Sequence, residues 1–367
     1  MKISVSRVLL DEAVFAASKA ASVKSTIAIL EGILIKAKDG EVVITGYDLE
    51  MGLEYKLKAD VIESGSIVLN AKIFSDIVHK LPNDTVTISV DEKFNTKIDC
   101  AHSNYSILGI SPEDFPELPR VSEERSIRIF STIFKSMIKQ TIYAVSQSET
   151  KPVHTGALIE VSKNNVKMIC VDGFRLAIRE EMLDLGSDND FSFIVPGKTL
   201  SEISKLLGDN SEDFVNIKLT RKHIVFEYKE MIIISRLLEG EFINYKQVLA
   251  TPVTTTVEVD VRSFLESIER AGLLINEKLK SPVKAIFEYN NIVITTKAAL
   301  GNVREELPSK MEGDRVEIGF NHRYMAEALR YCENEKINIK LATPLSPIVL
   351  APTSGNKFIF LILPVRI

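Results

Sequence analysis

The sequence predicts an α+β protein built from one unit used three times, and three blocks that recur in the same order carry that prediction. The first block is a short alternating strand running into a helix. It reads Ile3-Ser4-Val5 before Leu9, Leu10, Ala13, Val14 and Ala17, then Ile127-Arg128-Ile129 before Ile133, Phe134, Met137, Ile138 and Ile142. Its third appearance is Val257-Glu258-Val259 before Phe264, Leu265, Ile268 and Ala271. Apolar spacing that changes from two to about 3.6 is a strand followed by an amphipathic helix.

The second block is a hairpin. Ile33 to Thr45 is two strand-like runs around Asp39-Gly40, a strong two-residue turn signal. Leu158 to Cys170 has the same form with Asn164-Asn165 at the turn, and Ala285 to Thr295 repeats it with Asn290-Asn291. Ile44, Ile169 and Ile294 are 125 residues apart each time. In the third block an apolar strand leads into a short helix and then another strand. It spans Ile67–Lys72, Ile73–Leu81 and Val86–Val90; then Ile194–Lys198, Thr199–Leu207 and Val215–Leu219; then Ile318–Arg323, Tyr324–Tyr331 and Ile337–Leu341. Three units of about 120 residues account for all 367. The joints are the Pro112, Pro116 and Pro119 segment with its Glu113, Asp114 and Glu117, and Thr251-Pro252-Val253-Thr254-Thr255-Thr256. Both are short, so neighbouring units are closely coupled.

Composition narrows the class. At 45% hydrophobic and 26% charged residues the chain reads as soluble and globular, without a disordered tail. Apolar runs such as Met231–Ile234 and Phe358–Leu363 are too short to span a bilayer. The opening Met1-Lys2-Ile3-Ser4-Val5 lacks the pattern of a secretory signal. Cys100, Cys170 and Cys332 are odd in number and far apart, neither a disulfide framework nor a zinc pattern. A reducing, cytoplasmic location follows as the expectation, in which the sequons at Asn83 and Asn104 carry nothing.

The net charge of −5 argues mildly against nucleic acid as a partner, but the charge is unevenly placed. The predicted helical windows 6–24, 71–80, 128–151, 197–207, 262–280 and 321–330 hold 17 Lys and Arg against 9 Asp and Glu. They are therefore +8, and the rest of the chain is −13. If helices and strands form separate surfaces, an acidic protein presents one basic face. That suits sequence-independent attraction to phosphates with freedom to slide, while an acidic exterior discourages sticking elsewhere.

Asp172-Gly173-Phe174-Arg175-Leu176-Ala177, Thr45-Gly46-Tyr47-Asp48-Leu49-Glu50-Met51, Glu113-Asp114-Phe115-Pro116 and the terminal Leu363-Pro364-Val365-Arg366-Ile367 resemble, in order and position, the β sliding clamp family of bacterial DNA polymerase. The resemblance covers essentially the whole chain. It implies three repeated DNA-clamp domains, 1–124, 125–252 and 253–367, with helices lining a central hole and continuous antiparallel β-sheets outside. Two chains would form a head-to-tail homodimer around double-stranded DNA, without cofactor or catalysis. The replicative DNA polymerase, an ATP-driven clamp loader and repair proteins would dock through short apolar motifs.

Carried over residue by residue, the resemblance implies a peptide pocket between the second and third domains. Its residues are His154, Thr155, Gly156, Val171, Gly173, Phe174, Arg175, Leu176, Ile243, Gln247, Val248, Leu279, Asn321, Tyr324, Leu345 and Pro347. The tail adds Leu361, Ile362, Leu363, Pro364, Val365 and Arg366. An apolar floor with a few polar groups suits a Leu/Phe-containing peptide. Phe174 replaces a familiar His, Val171 a Thr, Ile243 a Pro and Gln247 an Arg, so this pocket should be more apolar and less basic. The DNA contacts implied are Lys24, Lys72, Ser148 and Lys198, with Lys151 an added candidate. Tyr105 and Ile107 on one side, and Leu273 and Leu274 on the other, would meet at the subunit interface.

A cytoplasmic metabolic enzyme of three α/β units is the alternative. No Gly-x-Gly-x-x-Gly, Walker loop or His-Glu-x-x-His occurs, and His79, His102, His154, His223 and His322 are scattered. Ser148-Glu149-Thr150-Lys151 matches Ser-x-x-Lys but lacks the companion motifs. Asp48 and Asp172 suit turns better than metal ligation. A repeat scaffold with no nucleic-acid role stays open only if the charge segregation is accidental.

Overall fold

Asp39 and Gly40 both take left-handed φ values, 52° and 79°, and close the first hairpin as the Asp-Gly signal predicts. The other two hairpins turn one residue earlier than expected. Ser162 pairs with Asn165, and Glu288 with Asn291, so the turns are 163–164 and 289–290, and each second Asn already belongs to a strand. The computed structural model that places these elements describes residues 1–119, 125–183, 190–275 and 282–367.

The chain divides into two compact units, one of Met1–Thr132 with Lys205–Leu237, the other of Ile133–Ser204 with Leu238–Ile367. The first unit holds a five-stranded sheet in the order Asp60–Glu63, Lys2–Ser6, Thr85–Val90, Asn95–Cys100, Ser103–Leu108. Its eight-stranded sheet runs Arg125–Phe130, Phe214–Leu219, His223–Tyr228, Met231–Arg236, Met51–Lys58, Glu41–Tyr47, Gly32–Lys38, Gly65–Asn70. The second unit holds a nine-stranded sheet: Phe191–Pro196, Gly156–Ser162, Asn165–Val171, Arg175–Met182, Phe358–Ile362, Ile348–Pro352, Lys336–Leu341, Thr255–Asp260, Lys310–Glu312. Its four-stranded sheet is Gly301–Pro308, Asn291–Ala298, Val283–Glu288, Val316–Phe320. Two strand pairs join one sequence copy to the next. Met231–Arg236 of the second copy pairs antiparallel with Met51–Lys58 of the first, and Phe358–Ile362 of the third with Arg175–Met182 of the second. The second copy thus contributes strands to both units.

The α-helices among the described residues are α1 (Arg7–Ser18), α2 (Ala71–Lys80), α3 (Ser131–Thr141), α4 (Gly197–Leu206), the single-turn α5 (Tyr245–Leu249), α6 (Val261–Gly272) and α7 (His322–Arg330). Period 3.6 puts Leu10, Ala13, Val14 and Ala17 of α1 on one buried face, and Phe264, Ile268 and Ala271 of α6 on another. Each end of the chain shows the same helix-on-sheet contact. A Cβ at Gly46 would lie 2.0 Å from the Ala17 carbonyl oxygen, so only glycine lets α1 sit that close. At the matching place in the third copy Thr296 Oγ1 donates to the Ala271 carbonyl at 2.9 Å.

Capping sets the helix starts. Asn70 Oδ1 accepts from the Ile73 amide at 3.0 Å, Asp260 Oδ1 from Ser263 at 2.7 Å and Asn321 Oδ1 from Arg323 at 2.9 Å. Each such cap contributes about 1 kcal/mol. The long helices are shorter than the windows read from sequence. The backbone of α1 tightens after Ser18, where the Lys19, Ala20 and Ala21 amides bond back to Ala16, Ala17 and Ser18. The window 128–151 holds α3 followed by a 3₁₀ turn at Ile142–Ala144, and α6 stops at Gly272.

Candidate functional site

The Asp172 turn organises the surface around Arg175. Asp172 Oδ1 accepts from the Phe174 and Arg175 amides at 2.9 and 3.1 Å, with Gly173 at φ +91°. Asp48 does the same for Glu50 and Met51 in the first copy, at 3.0 and 2.7 Å. Both aspartates are turn-forming, as their sequence context suggested. Asp172 Oδ2 also accepts from Arg175 Nε at 2.8 Å, and the guanidinium pairs with Glu327 of α7. Arg175 lies 4.5 Å from the centre of the Tyr324 ring and 5.3 Å from that of Tyr143. Burial disfavours its charge, but the two carboxylates more than offset that and hold it cationic. Phe174, 60% exposed, stacks on Tyr324 with ring centres 6.2 Å apart.

Beside this cation lies an apolar wall. Leu158, Ile169, Val171, Leu176, Ile178, Ile194, Tyr245 and Leu361 form one buried cluster, against which Val153, Leu238, Phe242, Val248 and Leu363 pack. Alternation along the last strand explains the choice: Leu361 faces this cluster, whereas Ile362, opposite Arg175 in the ladder, faces the other way. A cleft of about 150 Å³ continues the wall between Val248, Leu249, Pro347, Val349 and Ile359. The tail is fastened at two points, by the Leu363 amide to the Phe174 carbonyl and the Val365 amide to the Gly319 carbonyl, each at 2.8 Å. His154 packs edge-on to Phe242, ring centres 5.6 Å apart; burial, then Lys151, lower its basicity, so it is neutral at neutral pH. The site is therefore an apolar groove with one clamped cation and an exposed aromatic pair.

Residues 1–119, 128–244 and 246–366 match, respectively, the N-terminal, central and C-terminal domains of the DNA polymerase III beta subunit family. The chain belongs to the bacterial β sliding clamp family. The beta sliding clamp of Bacillus subtilis (strain 168) is 33% identical over the full length of both chains. That of Staphylococcus aureus (strain Mu50) is 34% identical, covering 95% of this chain and 94% of its own. The crystal structure of the Bacillus subtilis DNA polymerase sliding clamp superimposes with a TM-score of 0.95 over 100% of this chain and 99% of that one, at 33% identity.

As a sliding-clamp chain it carries three clamp domains of mixed helix and sheet, and the sequence expectations can be placed on them. Val171, Leu176, Val248, Leu361 and Leu363 come together in the apolar wall, and Gly173, Phe174, Arg175 and Tyr324 in the cation-aromatic group. Gly156 is buried beneath Leu238, Thr155 Oγ1 donates to the Pro152 carbonyl, and Asn321 caps α7. Ile243, Gln247 and Leu345 are exposed, as are Val365 and Arg366, while Pro364 is half-buried. Leu279 lies outside the described residues. Sequence reading missed the partners Asp172, Glu327 and Tyr143, and the wall residues Val153, Leu238 and Phe242. Glu327 and Tyr143 carried no local signal, being 152 and 32 residues from Arg175.

The five basic and polar DNA candidates are all exposed. They fall on two positions of the repeat: Lys24 and Ser148 follow the long helix of their copies, and Lys72 and Lys198 are the second residues of α2 and α4. Lys151 lies three residues beyond Ser148. The charge expectation needs correction. Among the described residues the six long helices hold 11 Lys and Arg against 7 Asp and Glu, a net +4 rather than +8: Lys19, Lys24, Arg128, Lys151 and Glu149 fall outside them, and Lys278, Lys280 and Glu277 lie outside the described residues. Arg7, Arg262, Arg270 and Arg330 are moreover paired with Asp11, Glu266, Glu305 and Glu269. Leu273 and Leu274 follow the end of α6 instead of forming its last turn, and Leu273 is 79% exposed. Burial pushes the Cys170 and Cys332 thiols up to about 12, so neither is a nucleophilic thiolate at neutral pH. Among the described residues no helix is long and apolar enough to cross a membrane.

Proposed function

We propose that two copies of this chain close head to tail into a ring that encloses double-stranded DNA and tethers other proteins to it, without catalysis, in the cytoplasm. One observation carries the reading: the sheet-joining rule leaves two strands unmatched. The strand Met231–Arg236 joins Met51–Lys58, and Phe358–Ile362 joins Arg175–Met182, the same two places of the repeat each time. By repeat position the strands left over are Ser103–Leu108 and Gly301–Pro308, each at an open edge, one on the five-stranded and the other on the four-stranded sheet. Open edges are a liability unless something pairs with them. Joined between two copies they make a nine-stranded sheet, equal in number to the one already formed within the chain.

The register follows from the repeat. Tyr55 pairs with Met231 and Leu53 with Ile233; under the same register Tyr105 would lie opposite Val303 of the partner subunit and Ile107 opposite Gly301 of the partner subunit. Exposed apolar residues flank both edges, Leu108 at 73% on one and Leu300 at 82% on the other. A head-to-tail contact used twice closes if six domains of 1–124, 125–252 and 253–367 share one joining rule. In this ring the helices face the hole, where Lys24, Lys72, Ser148, Lys151 and Lys198 meet phosphates. Lys72 and Lys198 sit in the first turn of a helix, where the macrodipole disfavours a cation by about 0.3–1 kcal/mol. The free amides and macrodipole of those same helix starts favour a phosphate, which the two lysines would meet alongside them. The groove around Arg175, Phe174 and the tail takes the short apolar motifs of the replicative polymerase, the clamp loader and repair proteins. Sedimentation at micromolar concentration should give twice the 41.0 kDa chain mass; a strict monomer would rule the ring out.

A further inference from the structure

The last residues of the chain are held against the strand Val316–Phe320 at the free side of the four-stranded sheet. Val365 forms an isolated antiparallel bridge with Gly319 and donates its amide to the Gly319 carbonyl at 2.8 Å. Gly319 has no left-handed φ, so its backbone would accept any residue. The space would not. A Cβ there would lie 2.6 Å from the Val365 carbonyl oxygen and 2.8 Å from Ile367 Cγ1, with Pro282 Cβ at 3.5 Å behind. The neighbouring outward position is Glu317, paired with Lys284 at 2.9 Å, so a bare backbone at 319 is the gap into which the tail settles.

We propose that Gly319 is the positioning residue of the peptide groove. It seats Val365 and thereby holds Leu363 and Pro364 across the opening beside Phe174. The inference rests on the pocket reading above. Leu363 is anchored to Phe174 on one side of the groove, and Val365 to Gly319 on the other. With both fastened, the tail is a preformed wall, and a peptide binding to it orders nothing new. Asn321, two residues beyond Gly319, caps the helix that carries Tyr324, so the seat and the aromatic pair share one short stretch of chain.

The test uses Gly319→Ala, Gly319→Val and deletion of 364–367, each alone, and Gly319→Val combined with the deletion, in the full-length protein. Valine favours a strand more than glycine does, so loss of the seat is not loss of the sheet. Hydrogen exchange at the Val365 amide reads seating without any ligand. It should accelerate by about tenfold or more in Gly319→Val, in line with one lost backbone hydrogen bond, and less in Gly319→Ala. The affinity for a labelled hexapeptide ending in Leu-Phe should fall by a similar factor, about tenfold. In the chain without 364–367, where affinity is already low, Gly319→Val should change nothing further. Unaltered Val365 exchange, or an equal loss of affinity with and without the tail, overturns the inference. Unaltered affinity after deletion of 364–367 removes the pocket reading and this inference with it; unaltered affinity in Gly319→Val alone removes only the inference.

Discussion

With Tyr105→Asp and Leu273→Asp in the same chain, the protein sediments as a monomer at concentrations where the parent is a dimer. Tyr105 is 40% and Leu273 79% exposed in the single chain, so neither change opens a core and the monomer stays folded. In the ring each interface contains one of each, on opposing sides. Burying a side chain of this size contributes about 1.5–3 kcal/mol, so two lost per interface amount to about 3–6 kcal/mol before any penalty for burying carboxylates. That weakens the contact by about 10²–10⁴-fold. Velocity sedimentation across a concentration series reads it directly, and a dimer of unchanged affinity would show that these surfaces do not meet.

Arg175→Ala should be the most damaging single change in the candidate pocket. The guanidinium fills the space between Tyr324 and Tyr143 and neutralises both Asp172 and Glu327. Removing it leaves two carboxylates near one another without their cation, a loss of about 3–5 kcal/mol when the pair is fully buried. Glu327 is partly open to solvent, which screens it, so a smaller loss, about 2–3 kcal/mol, is the expectation. Arg175→Lys keeps the charge but cannot reach both carboxylates with a planar fork, and should recover only part of the loss. Urea denaturation reads the stability. Peptide affinity should fall in step with it, because Asp172 also sets the turn that presents Phe174.

The repeat was legible because its signals are local. Ile44, Ile169 and Ile294 lie in matching strands, and all three hairpins close with two-residue turns. The turn residues themselves were misread by one in two copies, since in Asn-Asn pairs either residue suits the turn and only cross-strand register decides. Helix ends were less legible. Nothing between Ser18 and Lys24 interrupts the apolar period, yet the backbone changes to 3₁₀ bonding there. Gly272 did mark the end of α6, a stop signal overridden by the apolar Leu273-Leu274-Ile275 that follows. In the candidate site, Arg175 was named through its motif, but its partner Glu327 could be found only by folding the chain. The open edges were invisible for a different reason. Whether Ser103–Leu108 has a second neighbour is a property of the sheet order, and no residue in it records that.

In the proposed ring the link to DNA is topological. The most direct measurement loads the protein with its clamp loader and ATP onto a nicked circular duplex, removes free protein, and then cuts the circle at one site. Retention on the circle through a high-salt wash, followed by loss within minutes of linearisation, is the predicted result, because screened phosphate contacts alone cannot hold it. Equal retention on circular and linear DNA, or equal loss from both, would contradict the ring.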